Sequence, residues 1–406
     1  MQSPPIRIKS LTPNAVDDDQ IIHDVQRILL DAIQKKASDV HFEPYKKTFR
    51  IRIRVDGILH ETAELSPDTA QRITARLKVI SNLDIAERRL PQDGRFNIAV
   101  ANDQTRDCRI STCPTLFGEK IVVRILDTQH IALDASSLGF SADQMTLFLQ
   151  AIQKPQGMIL VTGPTGSGKT ITLYTALKQI NTHEKNISTV EDPIEIELPG
   201  INQIAINPKI DFTFATALRS LLRQDPDIIM IGEIRDKETA DIAIKAAQTG
   251  HLVLSTLHTN SAADAISRLM MMGASALNLA QCVQLIIAQR LVRKLCERCK
   301  KPVSAERAIT PFSLEREEVH KKNLSAKSIF QPVGCDHCLQ GYDGRTGIFE
   351  FLPITANITQ MIANHQTSLE IAEAAKKAGL CDLRASALEK IRFGVTSVEE
   401  ANRVIL

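Results

Sequence analysis

The sequence predicts an α/β protein in two parts, a small mixed α/β domain followed by a larger domain built on a mostly parallel sheet. Three observations point there. From residue 157 onward, short apolar runs alternate with helical patterns, as in strands joined by covering helices. The run Met158-Ile159-Leu160-Val161 leads into Gly163-Pro164-Thr165-Gly166-Ser167-Gly168-Lys169-Thr170, and helical spacing follows from Ile171 to Ile180. Well before these, Phe49 to Val55 alternates apolar residues with arginine, the period of a half-buried strand.

Taken in order, residues 1–17 form a polar N-terminal segment without the apolar stretch of a signal peptide. The first domain is expected over 18–130. Ile21, Ile22, Val25, Ile28, Leu29, Ala32 and Ile33 mark its opening helix, and Asp39 to Pro44 reads as a strand. After the arginine-bearing strand, Asp56-Gly57 supplies a hairpin turn. Residues 69–85 return to helical spacing, and Arg106 to Ser111 and Lys120 to Leu126 read as further strands. Ser136-Ser137-Leu138-Gly139 marks a linker over 131–140, and the larger domain is expected over 141–406. Its tail, 354–406, is helical in pattern.

Composition narrows the function classes. Lys plus Arg number 49 and Asp plus Glu 47, so the net charge of +2 gives no general attraction to nucleic acid or anionic lipid. Aromatics make up 4% with no Trp, which argues against a base-stacking surface. The longest apolar stretch, Ala276 to Val292, is broken by Asn278, Gln281, Gln284, Gln289 and Arg290, so it falls short of a spanning helix. A cytoplasmic protein reaching the membrane only through partners is the expectation.

Residues 163–170 satisfy GxxxxGK[ST], which implies a nucleoside triphosphate (ATP) with Mg²⁺. Glycines let backbone N–H groups turn around the phosphates at a helix N-terminus. Lys169 would reach the β- and γ-phosphates, and the Thr170 hydroxyl would ligate Mg²⁺. Hydrolysis also needs carboxylates that orient water and hold the metal's hydration shell. One acidic segment is Ile187-Ser188-Thr189-Val190-Glu191-Asp192-Pro193-Ile194-Glu195. The other carries Ile228 to Ile231 into Gly232-Glu233, placing Glu233 at the carboxyl end of a buried strand, where ligands sit in open α/β sheets. The apolar run ends in Gly-Glu, whereas the usual Walker B ends in Asp. A third strand, Leu252-Val253-Leu254, lies between His251 and His258.

Cys296-Glu297-Arg298-Cys299 and Cys335-Asp336-His337-Cys338 are two CxxC knuckles that together offer four thiolates to a structural Zn²⁺. A redox dithiol is the alternative, without a thioredoxin-like βαβ pattern to support it. Cys108, Cys113, Cys282 and Cys381 lack ligand spacing and are expected in the core.

Over residues 18–406 the linked motifs resemble the secretion-ATPase superfamily of type II secretion and type IV pili. Glu191 to Glu195 is similar to its aspartate box, Leu222 to Asp236 to its atypical Walker B, and Thr249 to Asn260 to its histidine box. Ala37-Ser38-Asp39-Val40-His41-Phe42-Glu43-Pro44, Arg54-Val55-Asp56-Gly57 and Pro91-Gln92-Asp93-Gly94-Arg95 resemble its first domain. Leu285 to Leu291 and Thr396 to Arg403 favour the pilus-extension branch over the secretion branch, and the tetracysteine set disfavours the retraction branch.

The resemblance implies a PAS-like first domain and a RecA-like ATPase domain, with a zinc-binding subdomain over 291–345. It implies a homohexamer acting on an inner-membrane platform protein. Glu233 would be the general base, with Glu191 and Glu195 assisting through water and metal. His258 would sense the γ-phosphate and His251 shape the same loop. Arg109 and Arg124 match arginines that the smaller domain contributes to the phosphates, with an exposed strand face as the alternative. Arg219 and Arg223 share a helix face and match arginines near the active site, with surface salt bridges as the alternative. Members also carry a further N-terminal domain that docks to membrane partners, for which residues 1–17 are too short. A DNA-translocating motor and a nucleotide-gated scaffold without turnover are the rival classes.

Overall fold

The computed structural model describes residues 18–100, 104–126, 133–303 and 329–405. Two compact units divide the chain, Met1–Ile131 and Ala132–Leu406. The polar segment 1–17 lies outside the described residues.

In the first unit, α1 (Asp18–Gln34) buries Ile21, Val25, Ile28, Leu29 and Ala32 along one stripe. The strands β1 (Asp39–Pro44), β2 (Phe49–Val55) and β3 (Ile58–Leu65) follow. Next come α2 (Pro67–Ile80), capped by Ser66, and the strands β4 (Gln92–Ala99), β5 (Thr105–Thr115) and β6 (Gly118–Leu126). They form a six-stranded antiparallel sheet in the order β3-β2-β1-β6-β5-β4. The alternation in β2 does what its period demands. Phe49, Ile51 and Ile53 are buried while Arg50, Arg52 and Arg54 lie half-buried on the other face. Beneath the sheet, a buried ion pair joins Lys78 to Glu119 at 2.6 Å.

The sequence reading missed β4. Its residues, Gln-Asp-Gly-Arg-Phe-Asn-Ile-Ala, bury only Phe96 and Ile98 because it is an edge strand with little apolar demand.

The second unit opens with α3 (Ala142–Ile152), whose Ser141 and Gln144 form a capping box. Then β7 (Gly157–Thr162), α4 (Lys169–Ile180), β8 (Ile187–Glu191), β9 (Asn202–Ala205) and α5 (Phe214–Leu221) follow. After them come β10 (Ile228–Ile231), α6 (Lys237–Gln248), β11 (Leu252–Leu257), α7 (Ala262–Met271) and α8 (Ala276–Cys282). The long strand β12 (Val283–Leu295), the short pair β13 (Lys301–Pro302) and β14 (Phe330–Gln331), and β15 (Tyr342–Pro353) complete the sheets. Four helices end the chain: α9 (Ala356–Ala363), α10 (Ser368–Lys377), α11 (Leu383–Arg392) and α12 (Val398–Ile405).

The seven-stranded sheet runs β15-β12-β7-β11-β10-β8-β9, parallel throughout except for β15 at the edge. Its central strands are buried on both faces, as parallel strands with helices on both sides must be.

One segment left open by the sequence reading and one that differs from it have plain causes. The apolar stretch Ala276 to Val292 splits, with its Ala- and Leu-rich start helical and its Val- and Ile-rich remainder in β12. Residues 135–140, read as linker, pack instead into the second unit. Ala135 and Leu138 are buried, and the Phe140 ring meets Phe148, Phe349 and Phe351 edge-on.

The tail is fastened by one buried acid. Glu400 on α12 accepts from Arg293 Nη2 on β12 at 2.8 Å and from Arg403 Nη2 at 2.6 Å, and the Arg293 backbone N–H adds a further bond at 3.0 Å. Burial alone would raise the pKa of Glu400; the bonds from Arg403 and Arg293 outweigh it and hold the carboxyl below its usual range.

Candidate nucleotide site and metal centre

The phosphate loop joins β7 to α4 at the carboxyl edge of the parallel sheet, with Lys169 as the first helical residue. Two of its glycines are obligatory. Gly163 takes φ 151°, and a Cβ there would sit 2.4 Å from the Gln289 carbonyl; Gly168 takes φ 88° as the N-cap of α4. Lys169 Nζ donates to the carbonyls of Gly163 at 2.8 Å and Pro164 at 3.1 Å, folding over the loop. Burial, opposed by Glu233 and aided by Arg290, lowers its pKa to about 8. Thr170 follows in the first turn, while Ser167 Oγ is buried in the loop without a hydrogen-bond partner. A glycine-rich loop at a helix N-terminus with an unsatisfied hydroxyl suits an anionic, oxygen-rich ligand.

Glu233 stands two residues beyond β10 at this edge. It pairs with Arg235, and His258 Nε2 lies 3.6 Å from its Oε2. The hydrogen bond from Arg235 holds the Glu233 carboxyl below its ordinary range, with help from Arg235, His258 and Lys169 charges. His258, beyond the end of β11, has its pKa lowered by burial and by Lys169. Lys169, Glu233 and His258 therefore share one electrostatic neighbourhood. The loop behind His258 is tied to β7, since Thr259 donates its N–H to Thr162 Oγ1 at 2.9 Å.

Glu191 ends β8 in different surroundings. It is buried, and neutral donors take both carboxylate oxygens: Thr189 Oγ1 at 2.6 Å, Gln203 Nε2 at 3.2 Å, and the Tyr174 hydroxyl. The same Tyr174 oxygen accepts the Glu195 backbone N–H at 3.3 Å. Tyr174 thus fastens both ends of the acidic segment to α4. Asp192, between them, lies 3.7 Å from Arg235.

His251 is not brought to this neighbourhood. It precedes β11 at the amino edge of the sheet, where its backbone carbonyl meets Gly157 and its Nδ1 lies 2.9 Å from the Ala246 carbonyl. Arg219 pairs with Glu238, both exposed, and Arg223 Nη1 donates to the Arg219 carbonyl at 2.8 Å.

Arg109 and Arg124 belong to the first unit and face each other across β5 and β6. They continue a cross-strand row from Arg95 to Asp39 and Arg54. Asp39 is buried and accepts from Arg124 Nε at 3.0 Å, and Arg54 Nε lies 3.5 Å away.

The four knuckle cysteines converge. Their Sγ atoms lie within 4.8 Å of one another, with Cys296–Cys335 at 3.9 Å, Cys299–Cys338 at 3.7 Å and Cys335–Cys338 at 3.6 Å. A tetrahedron of thiolates about 2.3 Å from a metal has edges of roughly 3.8 Å, so the set fits a structural metal ion. Backbone N–H groups of Gly334 and Cys335 point at Cys299 and Cys338 sulfur, each at 3.3 Å, as they do to thiolates. Residues 304–328 of the expected 291–345 subdomain lie outside the described residues. Of the other cysteines, Cys108 and Cys282 are buried, with burial pushing each thiol up to about 12. Cys113 and Cys381 correct the sequence reading. Both are exposed, Cys113 on the open side of β5 and Cys381 in the turn before α11.

With phosphate loop, acids and cysteines in place, the family model described as "Type II/IV secretion system protein" matches residues 14–403. The chain belongs to the type II/IV secretion ATPase superfamily. It is 54% identical over 388 residues to the type IV pilus assembly ATPase PilB of Pseudomonas aeruginosa, covering 96% of this chain and 68% of that protein. It is 44% identical to the type II secretion system ATPase E of Vibrio cholerae, over 96% of this chain and 76% of the relative. Among solved structures, the Legionella pneumophila ATPase DotB superposes with a TM-score of 0.70 at 20% identity, over 98% of each chain, which supports the superfamily fold.

Sequence reasoning missed Tyr174, Arg235, Gln289 and Arg290 as residues of the site. The last two left a signal, two polar residues interrupting an apolar strand.

Proposed function

We propose that this chain is the ATP-hydrolysing motor of type IV pilus assembly. Hydrolysis rests on one observation above the others: Glu233 stands with Lys169 and His258 at the mouth of an intact phosphate loop. In this reading the loop residues 163–168 and Lys169 bind the phosphates, and Thr170 ligates Mg²⁺. Glu233, held ionised by its neighbours, orients and deprotonates the attacking water. His258 reports the terminal phosphate. Glu195 remains a candidate for the metal's water shell, whereas Glu191 serves as the buried anchor of the acidic segment. Arg109 and Arg124 supply phosphate-neutralising charge from the smaller unit. Zinc in the cysteine cluster is structural. The working form is a homohexamer that turns an inner-membrane platform protein, peripheral to the membrane through that partner; no described helix is long and apolar enough to cross one.

The pilus assignment rests on 54% identity to a pilus assembly ATPase against 44% to a type II secretion ATPase. Replacing Glu233 with Gln in the native organism tests it, scoring surface pili and secreted proteins together. Loss of pili with normal secretion is expected. Loss of secreted enzymes with pili intact would transfer the motor to type II secretion.

A further inference from the structure

Strand β12 lies beside β7 in parallel register, Ala288 opposite Thr162, which carries Gln289 and Arg290 level with the first residues of the phosphate loop. Gln289 is buried and braces that loop. Its Nε2 donates to the Ser167 carbonyl at 2.6 Å and its Oε1 accepts from Thr172 Oγ1 at 2.8 Å. Arg290 reaches the other way, to the histidine loop. Its Nη2 donates to the Asn260 carbonyl at 3.0 Å and to Asn260 Oδ1 at 3.2 Å, and its Nη1 to the Gln289 carbonyl at 3.2 Å.

All three acceptors are neutral oxygens. A half-buried guanidinium ordinarily takes a carboxylate, as Arg293 does three residues along the same strand. Among the described residues no carboxylate forms an ion pair with Arg290. The acidic influence on it comes from Glu350 on the neighbouring strand β15, whose own oxygen is taken by the Ala262 N–H at 3.2 Å and whose pKa burial raises to about 7. Arg290 also stands close enough to Lys169 for the two cations to repel. Two like charges converging in a partly desolvated cleft, one of them without a counter-ion, are a folding cost that a bound polyanion removes. The guanidinium fork is suited to phosphate oxygens, and its planar geometry engages two at once.

We infer that Arg290 is a further catalytic residue, a terminal-phosphate ligand supplied by the same unit that holds the phosphate loop. Its bonds to Asn260 would then pass the presence of the γ-phosphate to the loop bearing His258. The inference rests on the ATP reading above and concerns a residue that reading does not use.

The test compares Arg290→Ala, Arg290→Lys and Asn260→Ala in the full chain, with Lys169→Ala as control. Binding of ADP and of a non-hydrolysable ATP analogue is measured beside turnover. Arg290→Ala should hold ADP within about twofold, lose roughly tenfold for the triphosphate analogue, and lose about 100-fold or more in kcat, as loss of a charge-assisted phosphate contact predicts. Arg290→Lys should regain part of the analogue affinity. Asn260→Ala, which removes the Oδ1 half of the brace and keeps the backbone-carbonyl bond and the charge, should keep the preference for triphosphate. Equal weakening of ADP and analogue, or an Asn260→Ala variant that copies Arg290→Ala, would make Arg290 a loop brace and overturn the inference. Unchanged analogue affinity in Arg290→Ala would overturn it as well. Failure of the wild-type chain to hydrolyse ATP would instead strike the motor reading, because the binding arms do not depend on hydrolysis.

Discussion

Two arginines three residues apart on β12 are treated in opposite ways. Arg293 is locked to Glu400, whose side chain is fully buried, and its guanidinium stacks 3.9 Å from the Tyr342 ring centroid. Arg290, at the phosphate-loop edge, meets only neutral oxygens. The first arrangement neutralises charge to hold the C-terminal helices on the sheet. The second leaves positive charge beside Lys169, where a phosphate group would arrive. Two acids divide the opposite way. Glu191 is saturated by neutral donors, whereas Glu233 faces Arg235, His258 and Lys169. On β12, a charge completed by a counter-ion holds the molecule together, and a charge left without one is placed for a ligand.

Lys169→Ala is the strongest way to break that contrast. Turnover should fall below roughly one-thousandth of wild type in a steady-state ATPase assay, while the melting temperature stays near wild type because Lys169 bonds only to loop carbonyls. Substantial residual hydrolysis would remove the site from the loop.

Glu400→Ala should do the reverse. Leaving Arg293 buried without its acid costs about 3–5 kcal/mol, read as a melting temperature lower by roughly 10 °C. ADP binding below that temperature should persist. A normal melting curve would mean that the tail is held by its apolar contacts alone.

Chelation probes the metal proposed for the cysteine cluster, a third kind of completion. Stripping it should open the segment from Cys296 to Cys338 to proteolysis while ADP affinity changes by no more than about twofold. Immediate loss of binding with the fold intact would place the metal in the chemistry.

The smallest effect is in pH. The Lys169 pKa is lowered to about 8, so its proton is fully present below that pH and lost above it. For the free enzyme, kcat/KM for ATP should therefore fall as pH rises through about 8, by at most about tenfold per pH unit for one proton. A flat profile from 7 to 9 would show that Lys169 keeps its charge.

Much of the larger unit was legible because parallel strands buried on both faces must be continuous apolar runs, as at 158–161, 228–231 and 252–254. The phosphate loop was legible because its glycines and lysine have one arrangement that works. Strand β4 was not legible, since an edge strand needs few apolar residues. The fate of Ala276 to Val292 was not legible either, because an apolar run alone does not say whether it is helix or buried strand.

The sequence by itself determined the ligand class, the acidic segments, the two CxxC pairs and the superfamily, because each depends on residue types at close spacing along the chain. Only the tertiary structure decided which of those residues share a site. It set Glu233 beside Lys169 and His258, closed Glu191 behind Tyr174 and Gln203, and left His251 at the far edge of the sheet. It also brought Gln289, 122 residues from Ser167 along the chain, and its neighbour Arg290 to the loop. The physical reason is register: strands that pair side by side fix which residues stand level at the carboxyl edge, and no local pattern encodes that pairing.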